Sequence, residues 1–325
     1  MISKKWLLAL GVSGLLAFGV AACGDDDDDD SGGSDGETVS GTIAIDGSST
    51  VAPFAEAAAE LFNEENPDVD ISVGASGTGG GFEKFCAGET DISDASRPID
   101  EKEEVPVCEK GGVEYTEVPV ANDGVAVVTN PAVEIWCLTT DQLAQLWSDD
   151  TVTNYSDLGE DADTGEPLPD VDVSLYGPGT DSGTFEYFTE EVNGEEGKSR
   201  TDYQPSEDDN QLVTGVAGDE GGLAYFGFSY YEQNADQLNL VSVDSGDGCV
   251  TPSVETIQSG EYTPLSRPLF MYPSTQAIAD NAAVAPFMEF VVGNYDTIAE
   301  AALIVPMDDT QAGDASTAVE GAVGS

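Results

Sequence analysis

The pattern of hydrophobic and polar positions from residue 39 onward predicts a chain that opens with a strand, a helix and a second strand. Residues 39–45 alternate between apolar and polar side chains, as in a half-buried strand. Residues 51–63 carry apolar side chains three and four positions apart, which is typical of an amphipathic helix. Residues 69–73 alternate again. The opening is therefore a β-turn-α-β unit.

Further elements follow in the middle of the chain. Residues 124–131 form a nearly continuous apolar run, as in a strand that is buried on both faces. Residues 139–147 predict a helix whose N-cap is Thr139 or Thr140. A loop rich in Asp, Gly and Pro is expected over residues 148–170.

The last part of the chain continues the alternation of strands and helices. The stretch LYGPGTDSGTFEYF, residues 175–188, predicts a strand, a Gly-rich turn and a helix. Apolar runs at 221–231 and 267–274 predict strands, and residues 281–295 predict a helix that Pro286 begins or interrupts. Such alternation indicates an α/β fold with mostly parallel sheets, whose ligands bind beyond the carboxyl ends of the strands.

The N-terminal segment has the features of a secretory leader. Residues 1–22 contain two lysines followed by an apolar stretch, and they end in small residues before Cys23. The ending VAAC resembles a bacterial lipobox, whose cysteine is lipidated and becomes the mature N-terminus. We therefore expect an extracytoplasmic protein that is anchored to the cell membrane through Cys23. An ordinary signal cleavage that leaves a free thiol is the alternative.

An acidic, flexible tether is predicted between the anchor and the folded body, over residues 23–38. Its aspartates repel one another, its glycines and serines stay flexible, and it offers nothing apolar to bury. Calcium binding by the aspartate run is the alternative, although the run lacks glycines at the spacing of a calcium loop.

The charge and the missing residue types exclude several classes of function. The formal net charge of −55 makes nucleic acids and anionic membrane surfaces poor partners. The chain contains no histidine, which removes Ser-His-Asp and Cys-His catalysis, histidine metal sites and histidine proton shuttles. We therefore expect a protein that is not an enzyme and that has no cofactor and no metal.

Four cysteines besides Cys23 indicate two disulfides, because an even number in an exported chain is more often oxidised. They are Cys86, Cys108, Cys137 and Cys249, and they allow three connectivities. Pairing Cys86 with Cys108 and Cys137 with Cys249 is favoured, since each bond then stays within one of two lobes. A zinc site is the alternative, but the spacings include no C-x-x-C.

Four turns offer Ser or Thr hydroxyls, and three of them combine these hydroxyls with glycine just ahead of a predicted helix. They are DGSSTVAPF (46–54), GASGTGGGF (74–82), ISDASRPI (92–99) and GPGTDSGTF (177–185). A helix N-terminus has unpaired N–H groups and partial positive charge, and glycine lets its backbone approach an anion closely. Together the turns predict an oxyanion site made of neutral dipoles, although each turn alone could be a plain helix cap.

A guanidinium is expected to complete this site. Arg97 is one of three arginines after the leader, and it falls inside the third turn, where it could fork onto two oxygens of an anion. The alternative is a surface arginine that is paired with Asp94 or Asp100.

At these residues the chain resembles the phosphate-binding proteins that feed Pst-type ABC importers. The resemblance runs from about residue 40 to about residue 306 and rests on GSSTVAPF, SGTGGGFEKFCAGETDISDASRPI and GPGTDSGTFEYF. It implies a two-lobed, periplasmic-binding-protein-like fold of type II, in which mixed sheets are flanked by helices and crossover strands form a hinge near residues 120–128 and 267–272. Lobe I comprises residues 39–122 and 267–325, and lobe II comprises residues 123–266.

The resemblance also implies the ligand set. The residues matching the family's motifs are Thr50, Val51, Ser76, Ser96, Ser182, Gly183 and Thr184, and the same turns add Ser49, Thr78 and Thr180 as further hydroxyl candidates. The implied role is capture of inorganic phosphate by a monomer and its delivery to a membrane ABC permease.

The sequence departs from the family's pattern at two positions. Members often have an arginine where Pro178 stands, and Arg97 is expected to replace it from the opposite lobe. Many members have an aspartate where Ser96 stands, and its carboxylate accepts the proton of hydrogen phosphate. Asp94 or Asp181 would take that role here.

Other functions remain open from the sequence. The anion could be sulfate, molybdate or a phosphonate. A phosphate-ester hydrolase with Ser182 or Thr184 as nucleophile would lack a histidine base, and an adhesin or signalling ectodomain could reuse the fold.

Overall fold

The computed structural model describes residues 39–324. The predicted leader, the lipidation site at Cys23 and the acidic tether lie outside the described residues.

Within residues 39–324 the chain forms eleven strands and twelve α-helices. The strands are β1 Gly41–Gly47, β2 Val69–Gly74, β3 Ile92–Ala95, β4 Val118–Thr129, β5 Cys137–Thr139, β6 Ser174–Pro178, β7 Gln204–Ser206, β8 Gly222–Gly227, β9 Asn239–Asp244, β10 Cys249–Val250 and β11 Ser266–Pro273. The helices are α1 Ala52–Glu65, α2 Thr78–Cys86, α3 Val105–Gly111, α4 Thr140–Ser148, α5 Gly183–Asn193, α6 Asp209–Gly218, α7 Phe228–Gln233, α8 Val254–Gln258, α9 Thr275–Asp280, α10 Val284–Gly293, α11 Tyr295–Ala302 and α12 Asp309–Val323.

The strands form a mixed sheet of order β2-β1-β3-β11-β4-β8-β6-β7, with β9 also paired to β4. β1 runs parallel to β2 and β3, and β6 runs parallel to β7 and β8. β4 and β11 run antiparallel to each other and to β3, β8 and β9. The expectation of mostly parallel sheets is therefore wrong, because these two strands run against their neighbours.

β4 is longer than predicted and joins the two halves of the sheet. Its first half pairs with β11 and its second half with β8 and β9. The strand begins at Val118, six positions before the apolar run that predicted it, because Asn122 and Asp123 interrupt the hydrophobic pattern. Both polar side chains are buried and paired: Asn122 exchanges hydrogen bonds with Gln311, and Asp123 accepts one from Arg267. Tertiary partners thus let polar residues sit inside a buried strand.

The two largest of the three hydrophobic clusters among the described residues lie on either side of this crossing. The first gathers residues between 43 and 121 and between 269 and 319, including Phe54, Phe62 and Phe287. The second gathers residues between 125 and 265 together with Val305, and it includes Trp147 and Tyr225. The fold is thus the expected two-lobed α/β arrangement with crossover strands. The residue boundaries given above for the lobes stay a prediction.

The structure confirms two local features that the sequence predicted and contradicts one. Thr139 caps α4 in a capping box with Gln142, as the sequence indicates. Pro286 lies in the first turn of α10, so it begins the helix rather than interrupting it. The apolar run at 221–231 is not one strand. The strand β8 ends at Gly227, and the remaining residues of the run belong to helix α7.

Two disulfides are present, and they have the favoured pairing. Cys86 bonds to Cys108 and joins α2 to α3. Cys137 bonds to Cys249 and joins β5 to β10, which both pair with β9.

Candidate functional site: a cleft lined by hydroxyl-rich turns

One cavity of about 1020 Å³ is lined by residues from all four hydroxyl-rich turns. The first three turns follow β1, β2 and β3, whose parallel pairing brings their carboxyl ends to one edge of the sheet. The fourth turn follows β6 and approaches from lobe II. Turns that lie far apart in sequence therefore share one cavity.

The structure brings most of the predicted site residues to this cavity. Those that line it are Ser49, Thr50, Ser76, Thr78, Ser96, Arg97, Thr180, Asp181 and Gly183. Val51, Asp94, Ser182 and Thr184 are not among the lining residues. Val51 packs in the core of lobe I and Asp94 is fully buried, so neither side chain reaches the open space.

Three helices begin at the cavity wall. Among the described residues, no side chain caps the N-termini of α1 and α2, and neither helix has an acidic residue in its first turn. α5 is capped by Ser182, whose oxygen accepts a hydrogen bond from the Thr184 amide at 3.2 Å. Helix dipoles from both lobes thus give this cavity a partial positive charge without basic side chains.

The first and fourth turns touch across the cleft. A Cβ atom added to Gly183 would lie 2.4 Å from Thr50 Oγ1 and 2.6 Å from Ser49 Oγ. Ser49 Oγ also donates a hydrogen bond of 3.1 Å to Glu186 on α5. Only glycine permits this close approach of the two lobes.

The hydroxyls of the cavity differ in whether their protons are free. Ser49 donates its proton to Glu186, and Ser76 donates to Asp46, so neither has one left for an anion. Thr78 and Ser96 hydrogen-bond to each other at 3.0 Å, which uses one of their two protons. Thr50 Oγ1 accepts a bond from Arg267 and keeps its own proton.

Arg97 lines the cavity, but its guanidinium is engaged elsewhere. Its two terminal nitrogens form a bidentate pair with Glu104, at 2.9 Å and 2.8 Å, and Nη1 also donates to the Pro98 carbonyl. The partner is thus neither of the aspartates considered from the sequence.

Arg267, which sequence reasoning did not place in the site, is the second arginine that lines the cavity. Its Nη2 donates to Thr50 Oγ1 at 2.9 Å, its Nε faces Asp123 at 3.3 Å, and its guanidinium lies 3.6 Å from the ring centroid of Tyr187. The expected crossing of a strand near residue 267 was the one signal that pointed to this position.

The pKa values of Asp46 and Asp94, two aspartates at the first turn, are shifted in opposite directions. Burial and the charge of Asp46 raise the pKa of Asp94 well above its usual range, and neither of its oxygens has a hydrogen-bond partner. For Asp46, burial acts upward on the pKa, but hydrogen bonds from Lys84 and Ser76 outweigh it and the pKa is lowered. Burial therefore favours the neutral form of Asp94, whereas hydrogen bonds favour the ionised form of Asp46.

The wall contributed by α5 is acidic. Glu186, Glu190 and Glu191 line the cavity, as does Glu196 just beyond the helix. Burial is the main cause that raises the pKa of Glu186; Glu196 and Asp181 add to it, while Ser49 and Arg267 oppose it. Within residues 39–324, no group of three or more His, Cys, Asp or Glu side chains is arranged to hold a metal ion.

The fold and this cleft define a two-lobed solute-binding protein. Residues 32–294 match the model of the PBP superfamily domain. The chain is 42% identical over 299 residues to the protein SphX of Synechocystis, covering 91% of this chain and 84% of SphX. It is 38% identical over 310 residues to the phosphate-binding protein PstS of Staphylococcus saprophyticus, covering 94% and 91% of the two chains.

A solved structure supports the same assignment. The crystal structure of a possible phosphate-binding protein from Planctomyces limnophilus superposes with a TM-score of 0.79 at 42% identity, over 88% of this chain and 99% of that one. The chain therefore belongs to the PBP superfamily and, within it, to the family of PstS phosphate-binding proteins. Members of this family are extracytoplasmic substrate-binding proteins of transport systems. Across residues 39–324, none of the helices is long and apolar enough to span a membrane.

Proposed function

We propose that this protein binds inorganic phosphate in the cleft between its lobes and delivers it to an ABC importer in the membrane. The observation that supports this most directly is the convergence of four hydroxyl-rich turns and three helix N-termini on one cavity. Phosphate-binding relatives at 38% identity over most of both chains support the choice of ligand.

Neutral donors suit an anion site in so acidic a protein. Hydroxyls, glycine amides and helix dipoles act over a few ångströms, whereas surface carboxylates are screened beyond ~8 to 10 Å at physiological salt. The proposed ligand groups are the hydroxyls of Thr50, Thr78 and Ser96, which line the cavity, and the amides of the turns that end at Val51 and Gly183. The hydroxyls of Ser182 and Thr184, at the start of α5 beside the lining residue Gly183, complete the proposed set. Ser49, Ser76 and Thr180 complete the polar wall.

A carboxylate at the cavity would distinguish phosphate from sulfate. An ionised acceptor binds the proton of hydrogen phosphate, but it repels sulfate, which brings no proton. Asp181 lines the cavity, whereas Asp94 is fully buried and is not among the lining residues, and burial raises its pKa. We therefore assign the acceptor role to Asp181.

The last part of the proposal concerns the attachment of the protein to the cell membrane. We propose that Cys23 is lipidated after removal of residues 1–22, so that residues 23–38 tether a monomer to the outer face of the cell membrane. Labelling with a radioactive fatty acid, compared between the intact chain and Cys23→Ser, tests this part: label on the serine variant would contradict it.

Isothermal titration with phosphate and with sulfate, repeated from pH 6 to pH 9, tests the ligand and its protonation state together. We expect micromolar or tighter binding of phosphate and about 10- to 100-fold weaker binding of sulfate, because phosphate donates a hydrogen bond to the Asp181 carboxylate that sulfate cannot, and a hydrogen bond to a charged group contributes about 1.5–3 kcal/mol. Ser182→Ala should weaken phosphate binding, whereas Lys198→Ala on the surface should not. Absence of heat with phosphate, or equal affinity for sulfate, would overturn the assignment.

A further inference from the structure

Arg267 is a cation at the floor of the cleft whose position suggests a direct role toward the anion. We propose that Arg267, rather than Arg97, supplies the guanidinium that binds the phosphate and couples its binding to the contact between the lobes. This inference rests on the proposed function and names the residue that gives the site its charge.

The first argument is the place of Arg267 in the fold. It lies at the start of β11, in register with Asp123 of β4, so it sits on the pair of strands that join the lobes. Its side chain is 15% exposed, and that of Asp123 is 9% exposed. A half-buried arginine on a strand that is paired with its neighbours is held more firmly than one on a loop.

The second argument is the orientation of the guanidinium. Nε faces Asp123 at 3.3 Å, and Nη2 donates to Thr50 Oγ1 at 2.9 Å. In the described part of the chain, no protein group accepts a hydrogen bond from Nη1, and Arg267 lines the cavity. The fork therefore keeps N–H groups for an anion next to the Thr50 hydroxyl.

The third argument is that Arg267 contacts both lobes. Thr50 belongs to the first turn of lobe I, and Tyr187, whose ring lies 3.6 Å from the guanidinium, belongs to α5 of lobe II. The Tyr187 hydroxyl donates to the Pro264 carbonyl, which fixes the ring. An anion bound by Arg267 would thus strengthen a contact that exists only when the lobes are together.

The guanidinium groups of the other two arginines after the leader already form hydrogen bonds with protein oxygens. Arg97 is 47% exposed and is held in a bidentate pair by Glu104. Arg200 is bonded to Asp202 and to the carbonyls of Leu146, Asp149 and Val152, inside lobe II. Both terminal nitrogens of Arg97 thus donate to protein oxygens, and Arg200 is not among the residues that line the cavity.

The test compares phosphate titrations of the full chain and of Arg267→Ala, Arg267→Lys and Arg97→Ala, with X-ray scattering to follow closure of the lobes. We expect about a 100-fold loss of affinity for Arg267→Ala, since two charge-assisted hydrogen bonds are removed. Arg267→Lys should lose about 10-fold, because it keeps the charge but not the fork. Arg97→Ala should stay within about threefold of the unchanged protein.

The outcomes separate this inference from the proposed function. If the unchanged protein binds phosphate and Arg267→Lys binds equally well, the inference is overturned and the function stands. A loss for Arg97→Ala as large as that for the Arg267 variants also overturns it. If the unchanged protein binds none of phosphate, sulfate, molybdate and methylphosphonate, both fail. Should Arg267→Ala not fold, the lysine variant, which keeps a cation facing Asp123, decides.

Discussion

The two walls of the cleft have opposite electrostatic character. The lobe I wall carries hydroxyls and the uncapped N-termini of α1 and α2, with no acidic residue in the first turn of either helix. The lobe II wall carries α5, with Glu186 in its first turn and Glu190 and Glu191 further along. We infer that lobe I supplies most of the attraction for an anion, while lobe II closes over it and adds repulsion.

This difference would let a chain of net charge −55 hold the proposed anion. The groups proposed to bind phosphate are neutral, apart from Arg267 and the proton acceptor Asp181, and most of them line one cavity. The acidic groups of lobe II act over longer distances, where water and salt weaken them. Specific variants in each wall can test this division.

The largest effect is expected where the walls touch. Gly183→Ala would place a Cβ 2.4 Å from Thr50 Oγ1, so the fourth turn must withdraw from the first. Because such overpacking costs 1–3 kcal/mol, we expect phosphate affinity to fall by about 100-fold in isothermal titration. Gly218→Ala, whose Cβ meets no atom within 4 Å, is the matched control in the same lobe. Equal affinities for the two variants would show that the walls need not meet.

A smaller loss is expected from the lobe I wall alone. Thr50→Val keeps the shape of the side chain but removes the hydroxyl that Arg267 orients. Loss of one hydrogen bond to a charged ligand predicts about a 10-fold weaker affinity for phosphate. Thr50→Ser retains the hydroxyl and should bind within about threefold of the unchanged protein. If valine and serine behave alike, the hydroxyl does not contact the anion.

Removing a negative charge from the lobe II wall should strengthen phosphate binding rather than weaken it. Glu186→Gln removes a negative charge but keeps an oxygen that can accept the Ser49 hydrogen bond. We expect phosphate to bind about two- to threefold more tightly at low salt, and the gain should vanish near 0.5 M salt. Glu300→Gln, an exposed site on α11, controls for net charge. A weaker affinity for Glu186→Gln would mean that its carboxylate helps to bind the ligand.

The smallest change in binding is expected below the lobe I wall, at Asp94. Burial and Asp46 raise the pKa of Asp94, so the folded state binds this proton more tightly than the unfolded chain does. This carboxyl therefore lowers stability increasingly above the ordinary pKa of an aspartate. Asp94→Asn cannot ionise, so its melting temperature relative to the unchanged protein should rise between pH 4.5 and pH 8, by about 2–4 °C per kcal/mol.

Phosphate affinity should remain within about twofold in Asp94→Asn, because the side chain does not line the cavity. A melting-temperature difference that does not depend on pH would show that Asp94 is ionised in the fold. A large loss of phosphate affinity in Asp94→Asn would show that Asp94 takes part in binding the ligand.

Much of the fold was predictable because its elements have strong local patterns. The strand at 41–47, the helix at 52–65 and the cap at Thr139 each follow from periodicity or from a side chain that satisfies nearby amides. The early part of β4 was not predictable, because Asn122 and Asp123 look like the end of a strand. Their partners, Gln311 and Arg267, lie more than a hundred residues away.

The site was predictable to a similar degree. Turn composition marked all four loops, and parallel pairing of β1 with β2 and β3 then brings three of them together. Composition could not say which hydroxyl protons are free, because Ser49 and Ser76 donate to carboxylates that reach them only in the folded chain.

The sequence alone determined the class of element, the turns that carry hydroxyls and the absence of histidine chemistry, since these depend on residue type and near neighbours. Only the tertiary structure decided which of the two arginines at the cavity keeps a terminal nitrogen without a protein partner. Glu104 lies seven residues from Arg97 and takes its fork, while Thr50, Asp123 and Tyr187 meet around Arg267 from distant parts of the chain. A guanidinium's role depends on which partners fill its hydrogen-bond positions, and long-range packing sets those partners.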